Sequence, residues 1–196
     1  YVLDGSDKSV TVIPEKESLN SLRKKGLISS AELAADGMRC SSTGEIRMQT
    51  KRRTFQVVTP RSEGFVGPAG TELHGKRASV KIGNVFSALL IASCDKTPLA
   101  ESGRMLILHL TDCLNSGLRF STQERHTVEY FGKLPLLVRR STADVTLRGV
   151  NGNVTLYALD LSGKRTGEVP VRHENGNLIF RLDNSAGVFA YELIRK

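Results

Sequence analysis

The sequence predicts an all-β fold: an antiparallel β-sandwich of jelly-roll-like type, with a short helical segment near the N-terminus. Three observations carry this. Beyond Gly44 the chain breaks into about a dozen short apolar or alternating segments at nearly regular intervals. Turn dipeptides separate many of them, Asn151-Gly152, Ser162-Gly163 and Asn175-Gly176 among them. Only one stretch has helical spacing.

That stretch is residues 15–36, where Leu19 and Leu22 share a face and Gly26 reads as a C-terminal stop. A second turn, "SSAELAAD", opens on a serine cap and stops at Gly37. The strands begin with "EIRMQ" and "TFQVV", which flank a Thr-Lys-Arg-Arg turn. In "ASVKIG" residues Ala78, Val80 and Ile82 share one face. "VFSALLIAS" and "RMLILHL" are more continuously apolar, as strands covered on both faces would be. "LPLLVRR", "ADVTLRG", "VTLYALD", "GEVPVRH", "NLIFRL" and "GVFAYELIRK" follow. Alternation in "VTLYALD" points Val154, Leu156, Ala158 and Leu161 inward and Tyr157 outward. The reading is one β-sandwich module over residues 1–196, with a soft division into two sub-parts near residues 121–135.

The stretch "LLIASCDKTPLAESGRMLILHL" raises a chemical question, because Cys94, Asp95 and His109 lie within it. A catalytic thiol needs a nearby base and an electropositive setting. Here Cys94 ends an apolar strand, and Asp95-Lys96-Thr97-Pro98 has the composition of a tight turn. The two flanking runs, residues 85–93 and 104–110, are expected to pair as antiparallel neighbours. The three cysteines, Cys40, Cys94 and Cys113, are expected to be buried free thiols. Neither they nor His74, His126 and His173 show metal-ligand spacing, and no phosphate-binding glycine motif occurs, so no catalytic residue, metal or cofactor is assigned. Acidic side chains such as Asp160 and Asp183 sit at strand ends, where capping is usual.

Formal net charge is +8, from 28 Lys and Arg against 20 Asp and Glu. The basic residues are scattered and no nucleic-acid-binding motif accompanies them, so nucleic acid is not an expected partner. No apolar run approaches the roughly 18 residues of a membrane span, and no membrane partner is expected. The first residue, Tyr1, reads as the start of an excised or processed segment, which leaves the compartment open.

Two longer stretches carry a family resemblance: "STGEIRMQTKRRTFQVVTPRSEGFVG" and "ASCDKTPLAESGRMLILHLTDCLNSG". Together with "YFGKLPLLVRRSTADVTLRG" and the strands after it, they resemble the C-terminal all-β accessory module of multidomain bacterial glycoside hydrolases, cellulase-like or β-galactosidase-like. In that group a leucine is usual where Cys94 stands, a glycine where Lys96 stands, and often a tryptophan where Phe131 stands. The likeness runs from about residue 43 to the end. It implies a non-catalytic sandwich that supports a catalytic barrel of the parent chain, binds carbohydrate, or both. A barrel itself would need about 250 residues of alternating strand and helix.

If carbohydrate is bound, sugar rings need aromatic faces, and the chain has no Trp, 7 Phe and 4 Tyr. That excludes a broad platform for crystalline polysaccharide and leaves soluble chains or chain ends. Tyr130 and Phe131 are the stacking candidates, the alternative being that Phe131 is core and Tyr130 meets another domain. Arg125, Lys133 and Arg139 would suit an anionic glycan. A stand-alone binding module and a small hydrolase are the other readings.

Overall fold

The computed structural model describes residues 37–195 except Ser42, and before them Val2–Leu3, Val10–Thr11, Ser21, Lys24 and Lys25. The helical stretch predicted over residues 15–36 lies otherwise outside the described residues. Within it, Lys25 donates its N–H to the Ser21 carbonyl at 3.1 Å, the i→i−4 bond of an α-helical turn.

Strands β1 (Val2–Leu3) and β2 (Val10–Thr11) pair with each other. A meander follows: β3 (Met38–Cys40), β4 (Ile46–Gln49), β5 (Thr54–Val58) and β6 (Ser62–Gly67). The chain continues through β7 (Glu72–His74), β8 (Ala78–Ile82), β9 (Ser87–Ser93) and β10 (Arg104–Leu110). Next come β11 (Cys113–Ser116), β12 (Arg119–Phe120), β13 (Val128–Tyr130) and β14 (Lys133–Val138). The last six are β15 (Thr142–Arg148), β16 (Val154–Leu159), β17 (Arg165–Val169), β18 (Val171–Glu174), β19 (Asn177–Asp183) and β20 (Ala190–Arg195).

Two antiparallel sheets make the sandwich: nine strands in the order β17-β16-β20-β10-β9-β6-β5-β4-β3, and five in the order β18-β19-β15-β8-β7. In both sheets the strands that follow residue 140 lie together on one side and those that precede residue 111 on the other, meeting at β20–β10 in the large sheet and β15–β8 in the small one. The core lies between them. Phe65, Ile91, Ile107, Leu156 and Leu193 from the larger sheet meet Val80, Ile82, Val145, Leu178 and Leu182 from the smaller, all of them buried. Most core strands reach this arrangement by alternation, as in β8, where Ala78, Val80 and Ile82 are buried as expected; β20 instead buries Tyr191, Glu192 and Leu193 in a row.

One buried carboxylate belongs to the fold. Glu63 points inward from β6 and accepts the backbone N–H groups of Arg77 and Ala78, each at 2.7 Å, which closes the turn into β8. A Cβ on Gly75 would stand 2.2 Å from that carboxylate, so glycine is required there. Tyr191 makes a second internal tie: its hydroxyl donates to the Asp183 carbonyl at 2.9 Å and accepts the Asp183 N–H at 3.2 Å.

Several expectations change in detail. The predicted strand "GEVPVRH" divides at Pro170, so that β17 joins the large sheet and β18 the small one; proline cannot donate to a ladder and marks the corner. Asn175-Gly176 makes the expected two-residue hairpin, with φ of 51° and 74° and Glu174 opposite Asn177. Asn151-Gly152 instead carries the chain across from the small sheet to the large one. Leu161, expected inside, is 90% exposed because β16 ends at Leu159 and Leu161 lies in the following turn, closed by the Asp160 N–H to Lys164 carbonyl bond at 2.9 Å. The outward side chains of β9 and β10, Leu90, Leu106 and Leu108, are half-buried rather than covered.

Candidate functional site

The opening chemical question is settled by register. Strands β9 and β10 pair antiparallel as expected, with Ser93 opposite Met105 and Leu89 opposite His109. Cys94 and His109 therefore lie five ladder positions apart, roughly 17 Å. Asp95 serves the turn instead. Its Oδ1 accepts the hydroxyls of Thr97, Ser93 and Ser102 at 2.7, 2.8 and 2.9 Å, while Oδ2 accepts the Gly103 N–H at 2.7 Å. These bonds, that from Thr97 foremost and then that from Ser93, hold its carboxyl far below the usual carboxylate range. Lys96 takes φ of 66° in the same turn.

The expectation of buried thiols is corrected: Cys94 and Cys113 are exposed and Cys40 half-buried, all three free. Cys94 stands past the end of β9, where the turn carries it out of the core, and β11 lies outside the sandwich. His109 is fully buried, and neither ring nitrogen has a hydrogen-bond partner among the described residues. Among those residues no group of three His, Cys, Asp or Glu is placed to hold a metal ion. Asp160 and Asp183 cap their turns as expected, accepting the N–H of Ser162 and of Ser185 at 2.8 Å each.

The feature that leaves the sandwich lies between β10 and β15. Strand β11 pairs with β14, and β12 with β13, forming a two-stranded ribbon outside both sheets. The ribbon doubles back on itself. Arg125, near its tip, places Nη1 2.8 Å from Oδ2 of Asp112, which stands at the ribbon's base directly after β10. The fold-back needs a bend at Gly117 and Gly132, whose φ values are 76° and 71°. A Cβ on Gly132 would lie 2.5 Å from the Ser116 carbonyl, so no other residue fits that close crossing.

The base is clamped to the sandwich. Asn184, buried in the β19–β20 connection, accepts the Ser141 N–H at 2.6 Å. Its Nδ2 donates to Thr111 Oγ1 and to the Arg139 carbonyl, each at 3.2 Å. Arg139 in turn donates its N–H to the Asp112 carbonyl at 3.0 Å.

Between the folded ribbon and the sheet lies an open cleft of about 690 Å³. Phe86, Ala88 and Leu110 give it an apolar floor, and Asp112, Arg125 and Arg139 form a polar wall. Phe86 is 51% exposed and Leu110 45%, unusually open for their types. Arg139 Nη2 approaches the same Asp112 oxygen at 3.5 Å, and the Arg125 guanidinium also stands 5.5 Å from the Phe120 ring centre. The hydrogen bond from Arg125 keeps the Asp112 carboxyl below its ordinary range, so it stays ionised.

Of the five residues singled out by sequence, the structure brings Arg125 and Arg139 together at this cleft. Tyr130, Phe131 and Lys133 sit on the ribbon away from it. Tyr130 has the Arg119 guanidinium 5.5 Å from its ring centre, while Phe131 and Lys133 flank the bend at Gly132. Phe131 is not core: it is 73% exposed. Phe86 and Asp112 were not legible as site residues. Each is an ordinary residue next to a strand end until the ribbon folds over it.

A second charged cluster lies on the outer face of the large sheet. Glu192 accepts Nε–H groups from Arg104 and Arg165, each at 2.6 Å, and the Arg165 guanidinium stacks 4.3 Å from the Tyr157 ring centre. Arg165 first and Arg104 after it hold the Glu192 carboxyl below its usual range. This carboxylate is saturated by its partners. Comparison of the chain with family models, with curated proteins and with solved structures gave no significant match.

Proposed function

We propose that the chain is a non-catalytic β-sandwich module of a glycoside hydrolase, whose ribbon packs against the catalytic barrel of the parent protein. The observation that carries this reading is the ribbon's uncovered apolar surface. Phe131, Leu134, Leu136 and Leu137 are each more than half exposed, although the sandwich beneath them already has a complete core. Large apolar side chains left exposed together on one ribbon mark an interaction site, since leaving them in water costs roughly 25 cal/mol per Å². The sequence resemblance supplies the identity of the partner.

In the enzyme carrying this module, Leu134→Asp should lower the temperature at which glycosidase activity is lost, while the module's own melting temperature stays unchanged. Unchanged heat resistance would remove the ribbon from the interface. The module alone should turn over no aryl-glycoside; turnover abolished by replacing one of its own carboxylates would overturn the reading. A second role, carbohydrate binding, is favoured by the cleft, where an exposed aromatic ring lies beside hydrogen-bonding groups.

A further inference from the structure

The cleft beneath the ribbon carries its own electrostatic signature. Two guanidinium groups, Arg125 and Arg139, share the single Asp112 carboxylate, which leaves one positive charge on the wall unmatched by that partner. Both arginine side chains stay about half exposed, so their remaining N–H donors face the cleft and solvent. Arg125 holds φ of 61°, a left-handed conformation uncommon outside glycine, and the turn bond from its N–H to the Thr122 carbonyl at 3.1 Å fixes it there. Arg139 is set by its backbone clamp to Asp112, Thr111 and Asn184. Its carbonyl and N–H are occupied, while the half-exposed guanidinium, held among the described residues only by a 3.5 Å contact from Nη2 to Asp112, keeps further N–H donors for a ligand. The guanidinium fork matches a carboxylate or sulfate in planar, bidentate geometry. Opposite it, Phe86 offers an exposed ring and Leu110 an apolar neighbour.

We infer that this cleft binds an acidic sugar, with the pyranose ring on Phe86 and its anionic substituent on Arg139 and Arg125. The inference rests on the carbohydrate-binding role proposed above and adds the charge class of the glycan. The C–H face of a pyranose is apolar and packs on an aromatic ring, while an acid group placed beside the wall completes the second arginine's pairing. Asp112 holds the wall in place without cancelling it, so a neutral sugar would gain the floor but not the wall.

The test uses the whole chain and three probes of matched length: a trigalacturonate, a sulfated galactan trisaccharide and the neutral galactan trisaccharide. Binding is measured by calorimetry or NMR titration at low and moderate salt. The trigalacturonate or the sulfated probe should bind at least tenfold more tightly than the neutral one, with the preference shrinking as salt rises. Whichever of the two is favoured identifies the acid group. Arg139→Gln should erase the preference, bringing acidic and neutral probes to the same affinity, whereas Phe86→Ala should weaken acidic and neutral probes alike. Melting curves show whether each variant is folded; Arg139→Lys, which keeps the charge but not the fork, supplies a second variant and should retain part of the preference. Equal affinity for acidic and neutral probes overturns the acidic assignment and leaves carbohydrate binding standing. Binding of none of the three overturns carbohydrate binding and the acidic assignment together. A preference that persists in Arg139→Gln places the site elsewhere and also overturns it.

Discussion

The sandwich and the ribbon are built from the same kind of strand and reach opposite ends of the exposure scale. In β15 and β19 every second side chain is buried: Ala143, Val145 and Leu147 in one, Leu178, Phe180 and Leu182 in the other. In β14, Lys133 through Leu137 are all exposed. The difference is not composition, since "LPLLV" is as apolar as any core strand of the chain. It is that β14 pairs only with β11, in a two-stranded ribbon outside both sheets of the sandwich. Apolar content tells that a segment will be covered. It does not tell by what.

The first way to break this contrast is to delete core volume. Leu156, fully buried in β16, should cost about 2–5 kcal/mol when replaced by alanine, read from urea unfolding. Glu63→Ala should come close behind, at about 3 kcal/mol, because two backbone donors at Arg77 and Ala78 lose their acceptor. Asn184→Ala should cost about 2 kcal/mol by stranding the Ser141 N–H, and should loosen the ribbon base as well. That loosening would appear as faster amide exchange at Arg139, whose N–H is held by Asp112. A variant in which exchange at Arg139 is unchanged would show that the clamp does not set the base.

These contrasts also mark where sequence was legible. Alternation identified the core of β8 at Ala78, Val80 and Ile82, and of β16 at Val154 and Leu156, because each of these strands has a sheet across one face. Two Asn-Gly pairs look alike locally and diverge in the structure, since Asn175-Gly176 joins strands of one sheet and Asn151-Gly152 joins strands of two. Pairing decides that, and pairing is non-local. Leu161 is exposed because β16 ends two residues before it, and alternation does not tell where a strand stops. At the cleft, charge alone drew attention to Arg125 and Arg139. Phe86 and Asp112 enter only through the fold-back at Gly117 and Gly132, and turn glycines occur elsewhere in the chain without producing one.

A smaller effect separates the regions by pH. Burial of His109 pushes its imidazole below the ordinary 6.5, with Asp183 opposing the shift. The folded state therefore holds His109 neutral, while the unfolded chain takes up the proton first as pH falls. Stability should be complete above about pH 6.5 and decline as pH drops through the folded value. The melting temperature should fall by a few degrees on this account, and His109→Leu should flatten that part of the profile. A slope undiminished in the variant would assign it to other groups.

The smallest expected effect is on the ribbon. Leu134→Ala should change the stability of the sandwich by no more than about 0.5 kcal/mol, since the side chain is 76% exposed. A loss comparable to that of Leu156→Ala would mean that the ribbon is part of the core.

The measurement that bears most directly on the ribbon's role is hydroxyl-radical footprinting of side chains, done on this module alone and joined to its catalytic barrel. Leu161, 90% exposed in the β16–β17 turn, serves as the internal reference. Tyr130, Phe131 and Leu134 should oxidise readily in the module alone and become several-fold protected when the barrel is present, with Leu161 unchanged. Equal oxidation of the three in both forms would contradict a docking role for the ribbon.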